Sequence, residues 1–206
     1  MPRDYTETSP IPWGDLGLPE WGESRVYLIG GGSSLRGFDF ERIRSRGISV
    51  GINQSMFDCD FCACGVSIDP VFVERKREQL EAFAEAKPLY LVLGKWWWHA
   101  IPKPIRGASY LADIERRGTS GFAALQIALR KGAKRITLLG FDYTPGHYHN
   151  EYAWSRINDE ANKRSWPRWS KDFKKVDGVE ITNASPGSLI ECFPRLSLEE
   201  ALALTD

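Results

Sequence analysis

Short apolar runs that end on glycine or a small polar residue, alternating with amphipathic stretches, leave this chain few folds to choose from. Val26-Tyr27-Leu28-Ile29 runs into Gly30-Gly31-Gly32-Ser33-Ser34, Ile48-Ser49-Val50-Gly51-Ile52 into Asn53, and Arg135-Ile136-Thr137-Leu138-Leu139 into Gly140. Runs this short and this uniformly apolar suit strands buried on both faces. Residues 61–68, 89–93 and 179–182 predict further strands. Between them, 38–46, 74–86 and 120–131 place apolar residues at helical spacing, with Gly47, Pro88 and Gly132 standing where helices stop, and 198–204 predicts a terminal helix. Strands alternating with helices predict an α/β fold: a Rossmann-like, mostly parallel sheet with helices on both faces.

A length of 206 residues suits one such domain, and a hydrophobic fraction of 42% is enough to fill its core. Residues 1–24, rich in Pro, Gly and acids, read as an N-terminal arm, and 25–206 as a single domain with an irregular lid over about 144–176. Lys+Arg and Asp+Glu stand at 27 each, so only a local patch can favour a polyanion. No apolar run approaches the roughly 20 residues of a membrane span, and the first residues lack a signal-peptide core. A cytoplasmic protein with reduced thiols is expected. Cys59, Cys62 and Cys64 are read as small buried hydrophobes, with alternation putting Cys62 and Cys64 on one face.

Ligands of parallel α/β sheets bind outside the carboxyl ends of the strands. Polar loops leave that edge at Gly30-Gly31-Gly32-Ser33-Ser34, Asn53-Gln54-Ser55, Asp69-Pro70 and Asp142-Tyr143. Thr119-Ser120-Gly121 opens a helix whose first N–H groups and positive dipole end suit an anion. The glycine run lacks the spacing of a dinucleotide fingerprint, since Leu35 stands where its third glycine would be, and no Gly-Lys-Ser/Thr follows. Alone it is also explained as a tight strand-to-helix turn.

The ordered series of these motifs, closed by Asn183-Ala184-Ser185-Pro186-Gly187-Ser188-Leu189, resembles the bacterial sialyltransferases of glycosyltransferase family 42 and the related DUF115-type proteins of bacteria and phages, over about residues 26–193. The resemblance implies a GT-A-like nucleotide-binding domain working without a metal. It implies that Gly30, Gly31, Gly32, Ser33, Ser34, Asn53 and Gln54 hold a nucleotide-sugar of CMP or UDP type, with Asp69 at the same edge. It implies that Thr119, Ser120 and Gly121 contact the donor sugar, that Asp142 and Tyr143 lie beside it, and that Ser185 and Ser188 close on the nucleotide. The family's lid histidine has no counterpart in 165–176, so the base is sought elsewhere.

Glycosyl transfer needs a base for the acceptor proton and donors for the leaving phosphate. Asp142, His147 and His149 are the candidate bases, and Tyr143 and Tyr148 the candidate phosphate donors. His147 and His149 also invite a metal reading, but no third ligand is local and no metal is expected. Lys163 to Lys175 is basic with interleaved aromatics, which makes Trp166, Arg168, Trp169 and Lys171 candidates for binding an acceptor. Expected, then, is a metal-independent glycosyltransferase with a nucleic acid, such as a hydroxymethylated phage DNA base, as one acceptor. The rivals are a DUF115-like pterin diphosphokinase using ATP and Mg²⁺ and a non-catalytic nucleotide-binding or phage assembly protein.

Overall fold

The computed structural model describes residues 16–93, 103–112, 119–149 and 163–204. Seven strands form one all-parallel sheet: β1 (Arg25–Ile29), β2 (Ile48–Ile52), β3 (Cys64–Ser67), β4 (Leu89–Leu93), β5 (Ser109–Ala112), β6 (Arg135–Leu139) and β7 (Glu180–Asn183). Their order is β5-β4-β3-β2-β1-β6-β7. The chain therefore winds outward from β1 to β5, then returns to the other side of β1 for β6 and β7. That reversal makes a topological switch point between β1 and β6, where Leu28 pairs with Leu138 and Ile29 with Leu139. A crevice opens at the carboxyl end of such a switch.

Period-two alternation sorts the strand residues onto two faces. Val26, Leu28, Val50, Ile52, Ile136 and Leu138 face one core with α4 (Ser120–Arg130). Tyr27, Ile29 and Leu139 face the other with Ile43 and the terminal helix Leu198–Ala203. Further along that second face, α1 (Ser55–Asp58), α2 (Pro70–Arg75) and α3 (Arg77–Ala86) bring Met56, Phe72 and Leu80 onto Leu89 and Leu91. Each large side chain so buried contributes about 1.5–3 kcal/mol. The α4 face is lined by Ala123, Ala124 and Ala128, all fully buried, so the helix lies close to the sheet. A Cβ on Gly121 would sit 2.7 Å from the Phe141 ring.

The expected α/β fold, a parallel sheet with helices on both faces, stands; every strand pair is parallel, and β5 is an added edge strand. Several finer expectations are corrected. Residues 38–46 hold only a 3₁₀ turn, Phe40–Ile43, capped by the Asp39 carboxylate on the Glu41 N–H. The helix expected over 74–86 is two helices, broken at Lys76. β3 starts at Cys64, so Cys62 lies in the turn before it. Cys62 and Cys59 pack with the Tyr27 face and Cys64 with the opposite one, against the single face expected for Cys62 and Cys64. The described part of the arm, from Leu16 on, docks on the body. Leu16 and Trp21 are buried in the α4-side core, and the Trp21 N–H donates to the Lys131 carbonyl at 2.7 Å. Residues 1–15, the Trp96-Trp97-Trp98-His99 run and positions 150–162 of the expected lid lie outside the described residues. No described helix is long and apolar enough to cross a membrane.

Candidate functional site

The glycine loop is built by close approach to the β6 exit. The Gly30 N–H donates to the Leu139 carbonyl at 2.7 Å and the Gly32 N–H to that of Gly140 at 2.9 Å. A Cβ on Gly30 would meet the Gly140 oxygen at 2.6 Å, and one on Gly32 would meet both that oxygen and the Asp142 carboxyl at 2.5–2.6 Å. Two of the three glycines are thus required by packing between the two loops. Gly31 differs: its Cβ would face His147 Nδ1 at 3.4 Å and His149 Nε2 at 3.7 Å.

Asp142 is buried at 4% exposure and both its oxygens are engaged. It accepts from the Ser34 N–H at 2.8 Å, the Ser34 hydroxyl at 2.5 Å and the Ser33 hydroxyl at 3.2 Å. Three donors converging on a buried carboxylate make it the clamp that ties the β1 loop to the β6 loop. Left-handed residues flank this clamp, Gly140 at φ 67° before Asp142 and Tyr143 at φ 54° after it. Tyr143 and Asn53, at φ 55°, are the two non-glycine residues with positive φ among the described residues, and both stand on this edge. Left-handed backbone at a non-glycine position is uncommon, and it clusters where a site demands it.

Tyr143 carries the ring of contacts onward. Its hydroxyl lies 2.5 Å from Thr119 Oγ1, and Thr119 in turn accepts from the Phe122 N–H as the N-cap of α4. Burial pushes the Tyr143 phenol well above its ordinary value, with Asp172 adding to the rise against the lowering Thr119 contact, so the phenol stays neutral. The first N–H groups of a helix have no intrahelical partner. With Phe122 capped, those of Ser120 and Gly121 have no partner among the described residues. Ser120 Oγ accepts from the Ile68 N–H at 3.1 Å and donates to Asn53 Oδ1 at 3.3 Å. Asn53 Nδ2 has no partner among the described residues, and the side chain is half-buried. The Ser55 hydroxyl closes the ring by donating to the Ile29 carbonyl at 2.5 Å and accepting from the Ile52 N–H at 2.8 Å.

The histidine segment covers the glycine loop. Gly32 and His147 form an antiparallel bridge, and the Tyr148 N–H donates to the Gly31 carbonyl at 3.2 Å. His147 Nδ1 also lies 3.2 Å from that carbonyl. A carbonyl only accepts, so Nδ1 carries the proton and Nε2 is the basic nitrogen. The His147 and His149 rings stack 5.4 Å apart at 16°. Tyr148 is anchored elsewhere: its hydroxyl donates to Asp58 Oδ2 at 2.5 Å and its ring packs edge-on against Phe40.

The expected site residues therefore separate by role. Ser33, Ser34, Asn53, Thr119, Ser120, Gly121, Asp142, Tyr143, His147 and His149 come together with the glycine loop on one edge. Ser185 and Ser188 are buried beneath it. Ser185 Oγ accepts from the Phe141 N–H at 2.8 Å and Ser188 donates to the Phe141 carbonyl at 2.5 Å, so they hold the β6 exit rather than face outward. Gln54 Nε2 donates to Asp58 at 3.0 Å. Asp69 caps α2 through the Val71 and Phe72 N–H groups, and burial raises its carboxyl above the ordinary value although both bonds lower it. Trp166, Arg168, Trp169 and Lys171 stand on a separate strip beside the edge. Two contributors were not singled out from the sequence: Asp58, which holds Tyr148, and Arg36, which donates to the His147 carbonyl at 3.2 Å. The signal for Asp58 was its position one helical turn after Gln54. Arg36 carried none. No group of three or more His, Cys, Asp or Glu suited to a metal occurs among the described residues. Comparison with protein-family models, curated proteins and solved structures returned no match.

Proposed function

We propose that this chain binds a nucleotide-sugar at the carboxyl edge of its sheet and transfers the sugar. The observation that carries this reading is the closed ring at the switch point. Ser33 and Ser34 join Asp142, Tyr143 joins Thr119, Ser120 joins Asn53, and Ser55 joins β2 to β1. A ring of this kind fixes the edge with little reorganisation, as a transferring site requires. The unengaged groups suit a phosphorylated ligand. The N–H groups of Ser120 and Gly121 sit at the positive end of the eleven-residue α4 and would donate to phosphate oxygens, and the Asn53 amide supplies a further donor.

The division of labour follows from the partners. Both Asp142 oxygens are tied to the β1 loop in a buried setting, so Asp142 is assigned as a positioning residue. His147, with Nδ1 turned to the Gly31 carbonyl, offers Nε2 as the base that takes the acceptor proton as the sugar–phosphate bond breaks. Tyr143 and Thr119 hold the α4 start in place.

A thermal-shift screen against CMP-, UDP-, GDP- and ADP-sugars, ATP and free nucleotides, with and without Mg²⁺, tests this. A ligand at a hundred times its Kd adds about 2.7 kcal/mol, or roughly 5–10 °C for a chain of this size. His147→Ala is expected to keep the shift and lose about 10²–10⁴-fold in transfer. Absence of any shift refutes the reading. A shift without turnover by the parent protein identifies a non-catalytic nucleotide binder. A shift only with ATP and Mg²⁺ favours diphosphoryl transfer.

A further inference from the structure

Charges balance over the whole chain, but they are not evenly mixed. Arg42, Arg44, Arg77 and Arg106 each close on a carboxylate at 2.6–2.8 Å. Lys131 and Arg135 likewise meet Glu20 and Glu23. From Lys163 to Lys175 the pattern breaks: six cations share the stretch with one acid, Asp172. All six are exposed, and Arg164, Arg168, Lys171, Lys174 and Lys175 have no ion-pair partner among the described residues. Clustered like charge opposes compaction, so folding gives no reason for it.

The strip is nonetheless held firmly. Its short helix Trp166–Trp169 runs into the 3₁₀ turn Ser170–Asp172 and then into Phe173, which is 2% exposed. The Phe173 ring meets Phe122, Phe141 and Tyr143 edge-on at 5.6–6.0 Å. Those residues are the first turn of α4 and the β6 exit, so the strip begins where the edge site ends. Trp166 and Trp169, one turn apart on the same helix, are both half-exposed among these cations.

We infer that residues 163–175 bind single-stranded nucleic acid, with phosphates on the unpaired cations and bases against Trp166 and Trp169. Unpaired cations alone fit any polyanion, but rings presented beside them fit a strand whose bases are free to stack. A lipid surface is less suited. An interfacial helix inserts an exposed apolar face, whereas the exposed large hydrophobics among the described residues are Val71 and Leu189, both outside the strip. Beside the edge site, the bound strand stands on the acceptor side. That role rests on the transferase reading, while the binding itself does not.

Anisotropy of fluorescein-labelled dT20 and rU20 with the full chain tests the inference. Four phosphate contacts give a slope of about −2.8 in log K against log salt, roughly a fifty-fold loss between 50 and 200 mM. Lys171→Ala with Lys174→Ala is expected to reduce that slope by about 1.4. Trp169→Ala is expected to weaken binding about 5- to 150-fold with the slope unchanged, and Trp169→Phe to restore most of it. No binding at 50 mM salt, or binding indifferent to these substitutions, overturns the inference. So does capture of phosphatidylserine vesicles in place of the oligonucleotides, or heparin binding that matches dT20 and ignores Trp169. Nucleotide thermal shifts are expected to survive in every strip variant. Oligonucleotide binding without any nucleotide shift would sink the transferase reading and leave this one standing.

Discussion

Replacing Asp142 separates a clamp from a base. Its carboxylate accepts from Ser34 N–H, Ser34 Oγ and Ser33 Oγ at 2.8, 2.5 and 3.2 Å, at 4% exposure. Hydrogen bonds to charged groups contribute about 1.5–3 kcal/mol each, and a buried donor left unsatisfied costs about 1–3 kcal/mol. The longer Ser33 bond joins a hydroxyl that can turn to water, so most of the effect lies on Ser34. Asp142→Ala is therefore expected to cost about 3 kcal/mol, or about 6–12 °C in Tm. Asp142→Asn keeps one acceptor for the Ser34 N–H, and its amide can donate to a rotated Ser34 hydroxyl, so about 1–1.5 kcal/mol is expected. Urea unfolding gives both values, and a cycle with Ser34→Ala should show a coupling of about 1–2 kcal/mol. Near-parental stability and nucleotide binding in Asp142→Asn, with transfer abolished, would make the carboxylate a base and refute the clamp. A loss below 1 kcal/mol for Asp142→Ala would refute it as well.

Three further outcomes follow from the same geometry. Gly30→Ala and Gly32→Ala force a Cβ to within 2.6 Å of Gly140 or Asp142 and should each cost 2 kcal/mol or more by urea unfolding, whereas Gly31→Ala, with 3.4 Å to His147, should stay within about 1 kcal/mol of the parent. Tyr143→Phe removes the hydroxyl from Thr119 and should lower stability by about 1 kcal/mol, with faster amide exchange in the first turn of α4. The Asp69 carboxyl is raised by burial, so the stability it contributes is full below its unfolded pKa and is lost as pH rises through the higher folded one. Asp69→Asn, an equally good N-cap, should abolish that decline, which sets in as pH rises above the ordinary carboxyl value of 3.8, in a Tm-versus-pH series and leave the protein no less stable at pH 7.

Much of the fold was legible because central parallel strands are apolar throughout. β1 is buried at all five positions, and its run ends at the residues where the site begins. The edge strand β5 was not legible: Ser109-Tyr110-Leu111-Ala112 is too short and too mixed to read as a run. The start of β3 was misread because Phe61 and Cys62 continue its apolar character. The Lys87 ammonium holds that turn by donating to the Asp60 and Cys62 carbonyls, a contact across 25 positions or more. The same limit applies in the site. Position at strand ends brought Asp142, Ser185 and Ser188 to notice, but what each partners is set by loops 44 to 109 positions away. Thus Asp142 reads from the sequence as a free acid and stands in the fold as a clamp, and two serines expected on a ligand lie beneath the chain that would meet it. His147 was one candidate base among several, and its contact with the Gly31 carbonyl, 116 positions away, could not be read from the sequence.

Photo-crosslinking with an azido-nucleotide, followed by peptide mapping, tests most directly whether the ring at the switch point is the ligand site. Label confined to peptides carrying residues 30–34, 53–55, 119–121 or 142–149, and competed away by unmodified nucleotide, is the expected result. Competable label concentrated on the opposite end of the sheet, around Arg25, Gly47 and Arg135, would contradict it.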